Sequence, residues 1–195
     1  SIEMIRLTGT VKNNFETGYT GGIVAYADNS SISNTTNKAK VTGIDNVGGI
    51  VGYSNLSVNY GYNSATVVGS TNVGGIIGTT SGTEISRCEN NSGIVGEENV
   101  GGIVGYSSEA TTNISRNYNS ASVTGNNIVG GIVGFSSSSI TRCENTADLG
   151  CNETILGGIV GRILGNRSDV SAVKLYQCAN LGSIYGGDTS EEETG

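Results

Sequence analysis

The chain of 195 residues contains no histidine, no proline and no tryptophan, and only 14% of its residues are charged. Without histidine, neither a Ser-His-Asp nor a Cys-His catalytic centre can be built, and the commonest protein metal ligand is missing. No apolar run approaches the roughly 18–20 residues that a membrane-spanning helix needs. The composition therefore predicts no catalytic site, no metal site, no cofactor and no insertion of this segment into a membrane.

Basic residues are also scarce, since ten Lys and Arg stand against 17 Asp and Glu, giving a net charge of −7. A negative surface repels nucleic acid and anionic lipid. We therefore expect no nucleic-acid partner.

Glycine, in contrast, is abundant, with 32 residues, and it recurs in a fixed pattern. The decapeptide DNVGGIVGYS at 45–54 returns almost unchanged as ENVGGIVGYS at 98–107. Four looser copies complete the series, and the first glycine of the six copies occupies positions 21, 48, 74, 101, 130 and 157. A nearly constant spacing of 26–29 residues is typical of stacked structural repeats, here called rungs, rather than of a globule with one unique core.

A second set of columns lies between the glycine-rich copies, and its members are two residues apart. An asparagine column holds Asn37, Asn63, Asn90, Asn119, Asn145 and Asn180. A small-residue column holds Ala39, Ala65, Ser92, Ala121, Ala147 and Gly182, and an apolar column holds Val41, Val67, Ile94, Val123, Leu149 and Ile184. Alternate positions of a strand share one face. Stacked Asn amides about 4.8 Å apart can hydrogen bond along the stack, so we predict an inward asparagine ladder.

These columns predict an all-β fold, a parallel β-solenoid of about seven rungs of 26–29 residues, right-handed like most parallel crossovers. Residues 1–186 would form a single repeat domain, in which 1–18 are a cap or a divergent first rung. The irregular stretch 163–174 would cap or interrupt the stack, and residues 187–195 read as an acidic tail or linker. The VGGIVG stretch is predicted to be one strand, with one side chain of each Ile-Val pair pointing inward and the other outward or into a corner.

The NVGGIVGYS stretches at 46–54 and 99–107, with NSATVVG at 63–69 and NSASVTG at 119–125 upstream, resemble the GLUG repeat, which is named for its Gly-Leu-apolar-Gly core. Here Ile replaces the Leu, and the first copy has Ala25 at the last glycine position. The family occurs in large bacterial surface proteins, including filamentous-haemagglutinin-like adhesins and non-catalytic regions of immunoglobulin A peptidases. The resemblance implies an extracellular or cell-surface bacterial setting and a stalk or adhesive region of a longer chain, with no catalytic residue to carry over.

The four cysteines have no C-x-x-C spacing, which argues against a zinc or thioredoxin-like site. Cys88, Cys143 and Cys178 fall in one column with the inward parity of the asparagines. Buried thiols that fill a narrow core are the favoured interpretation. A disulfide between Cys143 and Cys178 on successive rungs, or between Cys151 and Cys178, stays open.

Many solenoids cleave polysaccharides, so a carbohydrate-active β-helix enzyme of the polysaccharide lyase or glycoside hydrolase type is the alternative function. Such an enzyme would need clustered carboxylates about 5–9.5 Å apart. Glu89 and Glu144 share an outward column but stand two rungs apart, each with an arginine two residues away. Surface ion pairing is the favoured interpretation of both.

Outward positions of four consecutive rungs form a strip of Tyr, Arg and Glu: Tyr60, Tyr62, Arg87, Glu89, Arg116, Tyr118, Arg142 and Glu144. Tyr and Arg suit contacts with sugars or proteins, although such pairs also stabilise an exposed sheet face without any partner. A second aromatic column, Tyr26, Tyr53, Tyr106 and Phe135, is predicted to pack at a corner. Together the patterns predict a monomeric, non-catalytic spacer whose possible partner is a host glycan or extracellular protein.

Overall fold

The computed structural model describes residues 1–165 and 173–187, and every strand pairing in this part of the chain is parallel. Three sheets run along the stack, one of 17 short strands and two of six strands each. The chain visits the three sheets in turn, completes six rungs and enters the first sheet of a seventh. The predicted β-solenoid is therefore confirmed. The described residues include no helix long and apolar enough to cross a membrane.

The first sheet contains the asparagine, small-residue and apolar columns. Rungs 1 to 3 contribute β1 (Ile2–Glu3), β2 (Arg6–Lys12), β5 (Ile32–Thr42), β8 (Val58–Asn63) and β9 (Val67–Val68). Rungs 4 and 5 contribute β12 (Glu84–Ser86), β13 (Glu89–Asn90), β14 (Ile94–Val95), β17 (Asn113–Ser115), β18 (Tyr118–Asn119) and β19 (Val123–Gly125). Rungs 6 and 7 contribute β22 (Ser139–Thr141), β23 (Glu144–Asn145), β24 (Leu149–Cys151), β27 (Leu175–Tyr176), β28 (Ala179–Asn180) and β29 (Ile184–Gly186).

The glycine-rich copies form the other two sheets, one on each side of the glycine pair. The second sheet holds β3 (Thr20–Gly21), β6 (Asp45–Gly48), β10 (Thr71–Gly74), β15 (Glu98–Gly101), β20 (Ile128–Gly130) and β25 (Ile155–Gly157). The third holds β4 (Val24–Ala27), β7 (Val51–Ser54), β11 (Ile77–Thr80), β16 (Val104–Ser107), β21 (Val133–Ser136) and β26 (Val160–Ile163).

The VGGIVG stretch is thus two strands rather than the single strand that the sequence predicted. The backbone bends at the second glycine and the isoleucine, as at Gly49 and Ile50. This bend interrupts the alternation of a strand, so the prediction that only one side chain of each Ile-Val pair points inward is wrong. Ile50 and Val51 are both fully buried, and so are the equivalent pairs of the next three rungs.

The interior contains two apolar clusters. The larger combines the Ile-Val pairs with a column of Ile and Val at the start of each rung and with Cys88 and Cys143. The smaller joins the Val41 column to the Val47 column and includes Cys151. Burial of apolar side chains along the whole stack supplies a narrow but continuous core.

The described residues include all of rung 1 at one end of the stack, but only part of the chain at the other end. Strand β2 pairs residue by residue with β5, from Arg6 opposite Thr36 to Lys12 opposite Thr42. Of the stretch 163–174 that was predicted to cap or interrupt the stack, residues 166–172 lie outside the described residues, as do residues 188–195 of the predicted tail.

Candidate functional site: amide ladders and an outward Tyr/Arg strip

The predicted asparagine ladder is present through six successive rungs. In each of its five steps the Nδ2 of one asparagine donates to the Oδ1 of the next, over 2.7–2.9 Å, from Asn37 to Asn180. The first five asparagines have no solvent exposure. A buried amide without a partner would be destabilising by about 1–3 kcal/mol. Mutual satisfaction along the column explains why the same residue type recurs in every rung.

Five of the six ladder amides also bind the chain two residues further on, at the small-residue column. The Nδ2 of Asn37 donates to the carbonyl oxygen of Ala39 over 2.8 Å, and the Ala39 N–H donates to the Asn37 Oδ1 over 3.0 Å. The same Nδ2 bond is made by Asn63, Asn119, Asn145 and Asn180. The amide plane is fixed in this way, and the fixed planes bring successive amides into line.

The second glycine of each pair lies directly against this ladder. A Cβ on Gly49 would lie 2.7 Å from the Cγ of Asn63, and a Cβ on Gly75 would lie 2.5 Å from the Cγ of Asn90. These distances are too short for any side chain, so the glycine-rich sheet can approach the ladder only where Cβ atoms are absent. The second glycine of each repeated pair is therefore a requirement of the asparagine column, whereas a Cβ on the first, as at Gly48, would collide with the carbonyl oxygen of Val51.

A second amide ladder was missed in the sequence, although an asparagine precedes VGG in three consecutive rungs. Asn99 donates through Nδ2 to the Oδ1 of Asn72 over 2.9 Å, and Asn72 donates to Asn46 over 3.0 Å. All three have a left-handed backbone, with φ of 50–54°. Asparagine adopts this conformation more readily than most residues. The ladder stops at rung 5, where Ile128 takes this place and leaves the buried Oδ1 of Asn99 without a partner.

All four cysteines are free thiols, and the inward column prediction is confirmed for Cys88 and Cys143, which are both 1% exposed. Burial raises the pKa of the Cys88 thiol to about 12. The backbone N–H of Cys143 donates to the Sγ of the half-buried Cys178 over 3.4 Å. The hydrogen bond from the Cys143 thiol lowers the pKa of Cys178 to about 6. That hydrogen bond and burial raise the pKa of Cys143.

The strip of Tyr, Arg and Glu lies on the outer side of the first sheet and divides into two columns. Tyr62, Glu89, Tyr118 and Glu144 are strand neighbours in register, in that order. The hydroxyl of Tyr118 is 3.0 Å from that of Thr146. Tyr60, Arg87, Arg116 and Arg142 form the other column, here called the left-handed ridge, because their φ angles are 53–56°.

The left-handed ridge is an unusual place for these residue types. The backbone is left-handed there in every rung, since the equivalent residues Met4, Asn34 and Gln177 have φ of 50–55° as well. For residues other than Gly, Asn and Asp, this conformation costs roughly 1–2 kcal/mol each. All four ridge side chains are exposed. Sequence reasoning missed the conformation because Tyr and Arg do not signal it.

The contacts of the ridge arginines also differ from the ion pairs expected with Glu89 and Glu144. The guanidinium carbon of Arg87 lies 5.3 Å from the ring centre of Tyr60, and the Nε of Arg142 donates to the Oε1 of Gln177 over 3.0 Å. In the described part of the chain, neither arginine forms an ion pair with a glutamate of the strip, and the Arg116 guanidinium contacts no partner.

The second aromatic column lies in the third sheet, on its outer side, rather than at the predicted corner. Tyr26 and Tyr53 stack with ring centres 4.7 Å apart, as do Tyr106 and Phe135 at 5.0 Å. The Tyr53 hydroxyl is 2.8 Å from that of Ser81. The predicted packing role fits these contacts, because the rings contact one another.

The described residues show no group of three His, Cys, Asp or Glu that could hold a metal ion, and no pocket is found among them. The family model of the GLUG motif matches residues 16–42. This segment begins just before the glycine pair of rung 1 and ends just after Val41 of rung 2, so it spans one period of the stack. No curated protein and no solved structure was found to match the chain.

Proposed function

We propose that this stack of rungs with the GLUG motif is a rigid, non-catalytic spacer in a bacterial protein that is secreted or displayed at the cell surface, and that its outward strip contacts a host glycan or extracellular protein. The observation that carries the spacer role is the uninterrupted amide ladder from Asn37 to Asn180. A linear column of satisfied, buried amides fixes each rung on the next.

Rigidity follows from the register of the ladder. A slip of one residue between rungs would move Asn63 from the interior to solvent and bring its outward neighbour Ser64 inside. The slip would also separate Gly49 from the amide that requires it. Each rung is therefore held in one position relative to its neighbours, which is the property that a spacer needs.

Distance measurement between two spin labels tests this rigidity. Lys40 and Asp148 are exposed, occupy the same outward column and stand four rungs apart, about 19 Å at strand spacing. Labels on cysteines at these two sites, with Cys178 replaced by serine, should give a single narrow distance distribution. Broad or multiple distances would contradict the spacer proposal.

The carbohydrate-active enzyme is the competing class, and its geometry can be compared with the strip. Glu89 and Glu144 stand on either side of Tyr118 in the in-register column, two rungs apart. A glycosidase needs one protonated and one ionised carboxyl group close to a single sugar bond. Incubation of the chain with a panel of polysaccharides should release no reducing ends. Release that disappears with Glu89→Gln or Glu144→Gln would overturn the non-catalytic proposal.

A further inference from the structure

The left-handed ridge contains side chains that its backbone does not favour. Asn34 occupies the equivalent position of rung 2, so this site accepts asparagine. The other left-handed column uses asparagine in all three of its rungs. Tyr60, Arg87, Arg116 and Arg142 occur where asparagine or glycine would be less strained. Residues held in a strained conformation often have a functional role.

Three of the four ridge residues are arginines, in a chain whose net charge is −7. Arg87, Arg116 and Arg142 belong to three consecutive rungs, so their backbone positions follow one another in a row with a step of about 4.8 Å. Arg87 rests against the Tyr60 ring, and Arg142 is held by Gln177. Arg116, between them, has its donors uncommitted among the described residues. The two outer arginines of the row are thus held by neighbouring side chains, and the central one is not.

The spacing and surroundings of the ridge select among anionic polymers. Alternate side chains of an extended peptide are about 6.6–6.8 Å apart, which does not match a step of one rung. The pyranose units of an extended glycan follow one another at close to the rung spacing. Glu89 and Glu144 in the neighbouring column disfavour a dense polyanion such as nucleic acid. A glycan with about one acidic group per sugar unit carries fewer charges per unit length than nucleic acid and presents one group to each rung.

We propose that the left-handed ridge binds a linear acidic polysaccharide, whose carboxylate or sulfate groups accept hydrogen bonds from Arg87, Arg116 and Arg142 while a sugar ring lies near the exposed Tyr60. Forked guanidinium donors fit both anionic groups. The inference rests on the proposed adhesive function and assigns to it one class of partner and one row of residues.

The decisive variant is Arg116→Asn, because it removes the open guanidinium and places a residue that tolerates the left-handed backbone. The matched control is Lys40→Asn, which removes one exposed positive charge from the same sheet without touching the ridge. Binding of the whole chain to polygalacturonate, to heparin fragments and to neutral dextran would be measured by calorimetry in low salt. The first two probes distinguish carboxylate from sulfate as the preferred group.

We expect the wild type to bind at least one acidic glycan and not dextran, Arg116→Asn to weaken that binding at least tenfold, and Lys40→Asn to change it less than twofold. Arg116→Asn should melt no earlier than the wild type, so lost binding would not reflect lost structure. Equal binding by Arg116→Asn and the wild type, an equal loss in the Lys40 variant, binding to dextran, or no acidic glycan bound at all would each overturn the inference. A narrow spin-label distance in a chain that binds no glycan would leave the spacer proposal standing.

Discussion

The inner rungs and the first rung have different residues at equivalent positions. Rungs 2 to 6 have glycine at the end of the GLUG core, where rung 1 has Ala25. Rungs 2 to 7 have asparagine in the ladder, where rung 1 has Leu7 opposite Asn37. A Cβ on Gly52 would meet the carbonyl oxygen of Ala25 at 2.5 Å. Ala25 itself is exposed, with no described rung on that side. The contacts with neighbouring rungs therefore determine which residue type each column requires.

One methyl group added inside the stack is the change that we expect to destabilise the fold most. Gly78→Ala would place a Cβ 2.4 Å from the backbone carbon of Asn46 in the preceding rung. Because two backbones would have to separate, we expect the free energy of unfolding to fall by about 3 kcal/mol, at the upper end of overpacking effects. Equilibrium unfolding in urea measures the change.

The matched change at the first rung is Ala25→Gly, which removes a Cβ that nothing requires. It should lower the free energy of unfolding by no more than about 1 kcal/mol, the effect of glycine in a strand. If Gly78→Ala proved as mild as Ala25→Gly, close backbone contact would not be the reason for the glycine column.

The asparagine ladder gives a second, smaller contrast between inside and end. Asn90 is fully buried, accepts from Asn63 and donates to Asn119, each over 2.8 Å. Asn90→Ala should lower the free energy of unfolding by about 2–3 kcal/mol, since it leaves buried amide groups on both sides without their partner. Asn180→Ala, at the half-buried end, should lower it by about 1 kcal/mol because water can replace the lost bond.

Thermal melting of both variants beside Asn91→Ala provides the control. Asn91 is the exposed neighbour of Asn90; its Nδ2 donates to the Tyr62 hydroxyl over 3.4 Å, and its Oδ1 accepts from the Ser120 hydroxyl over 3.1 Å. A surface change of this kind is worth less than about 0.5 kcal/mol. An Asn180 variant that melted as early as the Asn90 variant would show that satisfaction from both sides is not what stabilises the ladder.

The columns that the sequence revealed are those with strict alternation. Asn37, Ala39 and Val41 are spaced by two on one strand, so their common inward face follows from strand geometry. Alternation fails at a bend, and for this reason both Ile50 and Val51 point inward against expectation. The bend is visible only once rungs are stacked, because it brings Gly49 against Asn63 of the next rung.

The candidate site was predictable in its residues but not in its conformation. Arg87 and Arg116 stood out as rare cations in an outward column, and that placement agrees with the structure. Their left-handed backbone left no sign in the sequence, since the usual markers of such a conformation are glycine and asparagine. The second ladder did leave a sign, because an asparagine directly precedes VGG at 46, 72 and 99.

Cys88 in an inner rung and Cys178 in the last rung differ in thiol pKa and therefore in expected reactivity toward alkylating reagents. Cys88 is buried inside rung 4, and its pKa is raised to about 12 because a thiolate there would lose its hydration. Cys178, in the last rung, has its pKa lowered to about 6, first by the hydrogen bond from the Cys143 thiol. A thiolate, not a thiol, attacks alkylating reagents. At pH 7 we therefore expect iodoacetamide to modify Cys178 and to leave Cys88 untouched.

The pH dependence of alkylation by iodoacetamide shows whether the pKa of each thiol is raised or lowered. A lowered pKa means that the Cys178 thiolate is already formed above about pH 6, so its alkylation rate should rise through that pH and then level off. A raised pKa protects the neutral Cys88 thiol, and the stability that this contributes is lost only as the pH rises from the ordinary thiol pKa of about 8.5 towards about 12. Mass spectrometry of the digested chain separates the two sites, and Cys178→Ser removes the reactive one. In urea both thiols should react alike near their ordinary pKa of about 8.5. If Cys88 in the folded chain reacted as fast as Cys178, the inner rungs would be open to solvent and the contrast between inside and end would fail.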